Sequence, residues 1–472
     1  MPSVASCFDD PATFLELSHE ELYDYDPAEI QQLQFEAIRR RFAEMRPRIG
    51  VLDRLAEDLA VDRLDSAEDI TALCFPHTTY KSYSLTLIEQ GRFDRLNRWL
   101  NTLTAHDLSK VDLDGVDTME GWLNRVEDAT QVRALCSSGT SGKISFFPRD
   151  IAEHRLQFRA FLQAHSGYRG EPDSGLQTGE VDYFAPWPIA SGRQSMPNFF
   201  RQLGEVLFRD KPGKHVHTLG NGHWDVDLLW LSGRIAAAER KGELAALQLP
   251  PKMAALRERL IAQRQAEPDN TEAFFEELFV RQRGKRLFLF APYLQMIPLA
   301  QECLRRGIQA EFGPGTYILA GGRSGSKGVA FPEDWEALCE SVFPPPHQEV
   351  FGMTETTGTS RMCSAGHFHQ PPWIATFLLD PDSGAPLERT GTRTGRFAFF
   401  DLMPSSHWGG VITGDRITIN WDGGCPCGRS GPYLEPDIVR YSNLRDDDKI
   451  TCSKSPDAYD KAVELTLGVE ML

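Results

Sequence analysis

The chain has 472 residues, 41% of them hydrophobic, so it is longer than one ordinary domain and can bury a substantial core. Its 67 acidic residues against 50 basic ones give a formal charge of −17, which argues against general binding to nucleic acid or an anionic membrane. Charged residues make up 25%, the balance of a globular rather than a disordered chain.

No segment reaches the ~18 apolar residues of a membrane span; the longest run, 287–300, is broken by Pro292, Gln295 and Pro298. The acidic N-terminus lacks the pattern of a secretory signal. Nine scattered cysteines suggest reduced thiols in a cytoplasmic protein, with any close cluster suspected of metal binding or catalysis.

In chain order, residues 1–110 read as a mostly helical region, 111–430 as a core and 431–472 as a short tail. Between 29 and 62, Ile30, Leu33, Ile38, Phe42, Met45, Leu52 and Leu55 recur at helical spacing. Pro47 divides them into two amphipathic helices, and Ser66-Ala-Glu-Asp69 resembles a cap opening a third. In the core, short apolar runs at 286–291, 316–320 and 395–400 read as strands. They alternate with helical stretches at 150–164, 254–265 and 291–306, which favours an α/β fold with a mainly parallel sheet. A short helix is expected at 456–465. No internal repeat or low-complexity stretch is apparent.

Chemistry begins at Ser137-Ser-Gly-Thr-Ser-Gly-Lys143. Glycines allow close backbone approach, exposed N–H groups bind anion oxygens and Lys143 adds a positive charge, a pattern suited to polyphosphate. It is not a Walker A loop, because Gly139 and Gly142 are separated by two residues rather than four. Alone, such a loop is as readily a linker. Two partners change the balance. Phe351-Gly-Met-Thr-Glu-Thr356 offers a strand-end turn with a hydroxyl for phosphate and a carboxylate for Mg²⁺, and Thr413-Gly-Asp415 offers a turn whose carboxylate suits ribose hydroxyls.

These three elements, in this order, resemble the core motifs of the adenylate-forming superfamily, which activates carboxylic acids with ATP. A narrower likeness is to phenylacetate–CoA ligases and the acyl-protein synthetases of bioluminescence systems. It is carried by Phe75-Pro-His-Thr-Thr-Tyr-Lys81, Gly321-Gly322, Gly366-His-Phe-His-Gln-Pro-Pro-Trp373 and Gly424-Cys-Pro-Cys-Gly-Arg-Ser-Gly431. The resemblance implies that Ser137, Ser138, Gly139, Thr140, Ser141, Gly142 and Lys143 hold the triphosphate. Thr354 and Glu355 would hold phosphate and Mg²⁺, and Asp415 the ribose. Gly321 and Gly322 would lie beside the adenine with Phe351 and Gly352, and either Arg429 or Arg440 is the basic residue expected after the ribose aspartate.

Cys363, His369, Cys425 and Cys427 form a candidate Cys₃His zinc site within 363–427, with His367 competing as ligand. His369 is preferred because the related enzymes place a histidine just before Pro-Pro-Trp. Those enzymes usually end in a C-terminal domain with a catalytic lysine, whereas 45 residues follow Cys427 here. The short acyl-protein synthetases carry a late acyl-accepting cysteine, and Cys452 stands where that residue is expected; as a plain reading it is an ordinary tail thiol. His215, His217 and His223 are more readily satisfied loop residues than an acid pocket. The expected reaction is formation of an acyl-adenylate from ATP and a small carboxylic acid, then acyl transfer to Cys452, CoA, a carrier protein or an amine. A CoA ligase and a non-catalytic nucleotide-binding scaffold are the alternatives.

Overall fold

The computed structural model describes residues 3–137, 143–187, 189–209, 212–220, 222–231, 268–323 and 331–444, with residues 238, 242 and 265 besides. The expected helix at 456–465, and that at 254–265 apart from its last residue, lie outside the described residues, as does Cys452. The main N-terminal elements are α1 (Pro27–Met45), α2 (Gly50–Asp58), α3 (Ala67–Ala72), β1 (Phe75–Pro76), α4 (Phe93–Asn101) and α5 (Met119–Thr130). Then come α6 (Ile151–Ala164), β2 (Asp182–Ala185), β3 (Ile189–Gly192), α7 (Ser195–Gln202), β4 (Val216–Thr218) and β5 (Gly222–Trp224). They are followed by β6 (Leu287–Phe290), α8 (Tyr293–Arg306), β7 (Tyr317–Ala320) and β8 (His347–Phe351). The strands β9 (Ser360–Arg361), β10 (Ile374–Leu379), β11 (Thr392–Asp401), β12 (Gly410–Asn420), β13 (Tyr433–Leu434) and β14 (Val439–Arg440) come last.

Local chemistry sets the helix ends. Asp26 accepts from the N–H groups of Ala28 and Glu29 while Pro27 occupies the first turn, where its missing N–H costs nothing. Ser66 and Asp69 form a reciprocal capping box on α3. Asp150 caps α6 by accepting from the N–H of Glu153.

The chain forms two compact units that interleave in sequence. Among the described residues, the first comprises those within 1–135, 146–171 and 350–444, and the second those within 136–145 and 172–349. In the second unit β4, β2, β6, β7 and β8 pair in parallel in that order, the architecture that the alternation of runs predicts. The run at 395–400 belongs elsewhere: it is part of β11, in an antiparallel meander β10–β11–β12 of the first unit. The free edge of β12 pairs in succession with β1, β14 and β13. The fold is thus mixed α/β.

Helix α1 packs on the meander. Phe35 stacks on Phe377 at 6.0 Å, Phe42 meets the edge of Trp408 at 6.1 Å, and Gln34 donates to the carbonyl of Pro372 at 2.8 Å. Ile38, Phe42, Trp373, Phe397, Phe399, Phe400 and Trp408 are all buried in one core, where each large apolar side chain contributes on the order of 1.5–3 kcal/mol. No helix among the described residues is long and apolar enough to cross a membrane.

One glycine fixes the join between β11 and β12. The N–H of Asp401 donates to the carbonyl of Gly409 at 3.0 Å, and a Cβ built on Gly409 would collide with the Asp401 backbone carbonyl. Gly409→Ala is therefore expected to destabilise the protein by about 2 kcal/mol or more, because backbone atoms must shift to admit the methyl. Urea unfolding would show this as a lower midpoint, and an unchanged midpoint would refute the tight approach.

Candidate active site

The turn after β8 is held from behind by a buried cation. The Arg149 guanidinium is completely buried and donates to the carbonyls of Glu355 (2.8 Å) and Thr354 (3.3 Å) and to the Thr357 hydroxyl (3.2 Å). Gln157, on α6, donates to the carbonyl of Thr356 at 2.9 Å. Buried Asp401 accepts from the N–H of Thr357 at 2.5 Å; burial raises its pKa, opposed by the charge of Arg149. Backbone groups that would otherwise point at random are thus fixed, and the Glu355 side chain issues from a rigid turn. Glu355 is half-buried; desolvation pushes its carboxyl pKa up and Asp415 adds to this, while Arg440 and Arg149 pull it back. A carboxylate crowded in this way gains from a nearby cation.

The sequence reads Thr413-Gly-Asp415 as a turn, and the structure makes it a bulge. Arg396 and Ala398 of β11 face Arg416 and Ile412 of β12, so Thr413, Gly414 and Asp415 stand opposite Phe397 alone. Bulges re-aim side chains beside functional sites. This one is pinned: the Thr413 hydroxyl donates to the carbonyl of Phe397 (3.0 Å) and accepts from the N–H of Asp415 (3.1 Å), and Arg396 donates to the carbonyl of Thr413 (3.1 Å). Across the other edge Asp415 is in register with Arg440, whose Nε lies 3.5 Å from its carboxylate.

Arg440 is therefore the basic residue that the structure brings to Asp415. Arg429 goes elsewhere. It is buried, holds Glu171 with two hydrogen bonds of 2.9 and 2.6 Å, and lies 3.8 Å from the ring centre of Tyr168.

Sequence reasoning gave no role to Lys81, Arg149 or Asp401. β1 runs beside β12, with Pro76 opposite Ile412 and the N–H of His77 donating to the Ile412 carbonyl at 2.9 Å, immediately before the bulge. Lys81 follows one short turn later, half-buried. Burial and Arg440 lower its pKa, whereas Glu355 raises it, so it feels the same charge cluster. The only signal for Lys81 was the Phe-Pro-x-x-x-Tyr-Lys run itself.

Several other predicted residues lie in the second unit. Of the Gly/Ser loop, Ser137 and Lys143 are described and Ser138, Gly139, Thr140, Ser141 and Gly142 fall outside the described residues. The loop base is closed by the Ser137 N–H donating to the carbonyl of Ser145 (3.0 Å) and the Ser145 N–H donating to the Ser137 hydroxyl (2.8 Å). Gly321 and Gly322 follow β7; the N–H of Tyr293 donates to Gly321, and Gly322 has φ +76°, a conformation glycine adopts freely. Phe351, in the first unit, is half-buried against Phe368 and Phe397 at 6.0 and 6.1 Å, with Gly352 exposed beside it. The histidines do not converge: His215 pairs with Asp182 at 2.8 Å, His223 with Ser191 at 3.1 Å, and His217 lies flat on Phe184.

Cys363, His369, Cys425 and Cys427 bring four donor atoms within 4.8 Å of one another and can hold a metal ion. The Cys363 and Cys425 sulfurs are 3.8 Å apart, and Cys427 Sγ is 3.3 Å from His369 Nε2. A hydrogen bond from Cys363, with help from His369, pulls the Cys427 thiol well below its usual range, while Cys363 and Cys425 are pushed up. His367 stands outside the set: its Nδ1 is 3.3 Å from Cys425 Sγ, its ring stacks on Tyr433, and Glu435 lies 3.6 Å from its other nitrogen. Beneath the knuckle, Glu171 bridges buried Arg429 and Arg361 and accepts from the N–H of Ser364. Burial alone would raise the Glu171 carboxyl, but Arg429 holds it down at about 2.

No protein-family model and no curated protein matches the chain. Solved structures do. A 2-hydroxyisobutyryl-CoA ligase in complex with 2-HIB-AMP and CoA aligns over 90% of this chain and 71% of its own, at 14% identity and a TM-score of 0.50. An open conformation of that ligase covers 92% of this chain and 80% of its own, with 14% identity and a TM-score of 0.49. O-succinylbenzoate coenzyme A synthetase from Bacillus subtilis, with ATP and magnesium, covers 67% of this chain and 52% of its own at 13% identity and a TM-score of 0.30. The chain thus has a mixed α/β fold resembling that of the adenylate-forming ligases.

Proposed function

We propose that this chain is an ATP-dependent ligase that converts a carboxylic acid to an acyl-adenylate, releases pyrophosphate and passes the acyl group to a thiol. The observation that carries the reading is the Arg149-clamped turn presenting Glu355 in the same charge cluster as Asp415, Arg440 and Lys81. The narrower placement beside phenylacetate–CoA ligases and acyl-protein synthetases rests on the motifs around 75–81, 366–373 and 424–431.

In the first step a carboxylate oxygen attacks the α-phosphorus of ATP and the bond to pyrophosphate breaks. In the second, a nucleophile attacks the acyl carbonyl and AMP leaves. The Ser137–Lys143 loop supplies phosphate-binding N–H groups and one cation, Thr354 a hydroxyl, and Asp415 a carboxylate for ribose hydroxyls, its place fixed by the bulge. Glu355 would hold Mg²⁺, which when bound neutralises polyphosphate charge. The residues chiefly position groups and stabilise charge, which is what phosphate displacement requires. The acceptor is a protein thiol, Cys452 or one on a carrier, with CoA as the second reading; CoA in the structural relative's complex fits that second reading. A scaffold without catalysis has no use for a crowded metal carboxylate.

The cysteine cluster is proposed as a structural zinc site. Zinc–sulfur bonds of about 2.3 Å in a tetrahedron place sulfurs about 3.8 Å apart, which is the Cys363–Cys425 separation. Four protein donors leave no position for water, so the ion would brace the knuckle rather than catalyse.

Two outcomes are expected. Glu355→Gln should lower pyrophosphate release with a panel of acids by about a hundredfold or more while leaving the melting temperature within a few degrees; undiminished release would remove Glu355 from the metal site. Hydroxylamine-sensitive acyl label on the chain that Cys452→Ala abolishes would identify Cys452, and CoA consumption the alternative. Secondly, the purified protein should contain about one zinc per chain, and Cys425→Ser should lower both zinc content and melting temperature. Elemental analysis that finds no zinc in protein prepared without chelator would end the zinc assignment.

A further inference from the structure

Helix α7 carries an unusual buried face. Gln194, its N-cap, and Gln202, its last residue, are 9% and 1% exposed, and Asn198 between them is 3% exposed. Spaced four residues apart, the three carboxamides lie along one side of the helix. The Asn198 oxygen accepts from Arg201 at 3.2 Å. The amide nitrogen and oxygen of Gln194, and both of Gln202, are buried without a hydrogen-bond partner. Buried polar atoms are nearly always satisfied, so four orphans on one face mark a place where something polar belongs.

The position of that face says what. β3 leads into α7, and the carbonyl of Arg193, one residue before Gln194, accepts from the N–H of Cys136 at 2.8 Å. Cys136 is the residue before Ser137, at the base of the Gly/Ser loop. The row of amides therefore starts at the anchor of the loop assigned to phosphate and runs away from it for about 12 Å, eight residues at ~1.5 Å each. A carboxylic acid activated at that loop has its carboxylate near the phosphates and its tail directed elsewhere. Carboxamides are neutral and both donate and accept, so they match hydroxyl or amide groups better than either a hydrocarbon or an ion.

We propose that the Gln194–Asn198–Gln202 face is the wall of the acid-binding site, and that the substrate is an uncharged acid bearing hydroxyl or carboxamide groups along its chain rather than a plain alkyl or aryl acid. This rests on the adenylating reading above.

The test is ATP–pyrophosphate exchange with acids of matched length: alkyl, hydroxyalkyl and carboxamide-bearing. The wild-type protein should favour the polar acids in kcat/KM by about tenfold or more, because a site built to hydrogen-bond rejects an analogue that leaves its polar groups unpaired. Gln202→Leu should erase that preference and raise the melting temperature of the ligand-free protein, with the KM for ATP unchanged. Gln194→Leu provides an independent variant should the first not fold. Alkyl acids used as well as polar ones, or a preference untouched by either variant, would overturn the proposal and leave ordered water as the occupant of the face. Exchange with no acid at all would overturn the adenylating reading, and this inference with it.

Discussion

The first unit's site is organised around one fully desolvated guanidinium. Arg149 is taken out of water at a cost that hydrogen bonds must offset, and its partners are the backbone carbonyls of Thr354 and Glu355, the Thr357 hydroxyl and the charge of Asp401. Because the planar fork of arginine has fixed donor directions, it sets the path of the turn as well as its stability. A lysine, with one rotatable point charge, would leave at least part of that path undetermined. Asp401 also ties the arrangement to the end of β11, through the Thr357 N–H on one side and the Met403 N–H on the other. The half-buried Glu355 carboxylate is therefore held in place by buried groups behind its turn.

Much of this was legible because it is local. The cap at Ser66 follows from side-chain chemistry within three residues, and the strands at 287–290 and 317–320 from short apolar runs. The Thr-Glu turn after β8 was readable for the same reason. What the sequence did not reveal depends on pairing across long separations. Thr413-Gly-Asp415 looks like a turn in one dimension and becomes a bulge only once β11 is laid beside it. Arg429 and Arg440 both follow Asp415 closely, and only the register of β14 on β12 separates them. Lys81 and Arg149 carry no local pattern of a site; each acquires one by being delivered from a distant segment.

The cysteine knuckle shows a similar division of labour. Its four candidate donors could be named from residue type, and the structure groups His369 with the three cysteines while the His367 ring stacks on Tyr433. Arg429 then links the knuckle to Glu171 and, through it, to Arg361 on β9, the strand that follows the Glu355 turn. Removing Glu171 would take a carboxylate from between two buried guanidiniums, a more severe change than losing an exposed ion pair. The knuckle and the turn are thereby joined by charged contacts as well as by the chain.

The bulge in β12 also governs how this motif can vary in length. Three residues stand opposite one, so the strand gains two, an even number. Side chains in a strand alternate between faces, and an even insertion returns the alternation to its original phase: Val411 before the bulge and Ile417 and Ile419 after it all enter the same core. Loss of one residue from Thr413-Gly-Asp415 would leave two residues opposite Phe397, the ordinary bulge, and would re-aim the Asp415 carboxylate relative to Arg440. The length of the segment thus sets where the Asp415 carboxylate is aimed, while the flanking pairs Arg396–Arg416 and Ala398–Ile412 hold the strands in register.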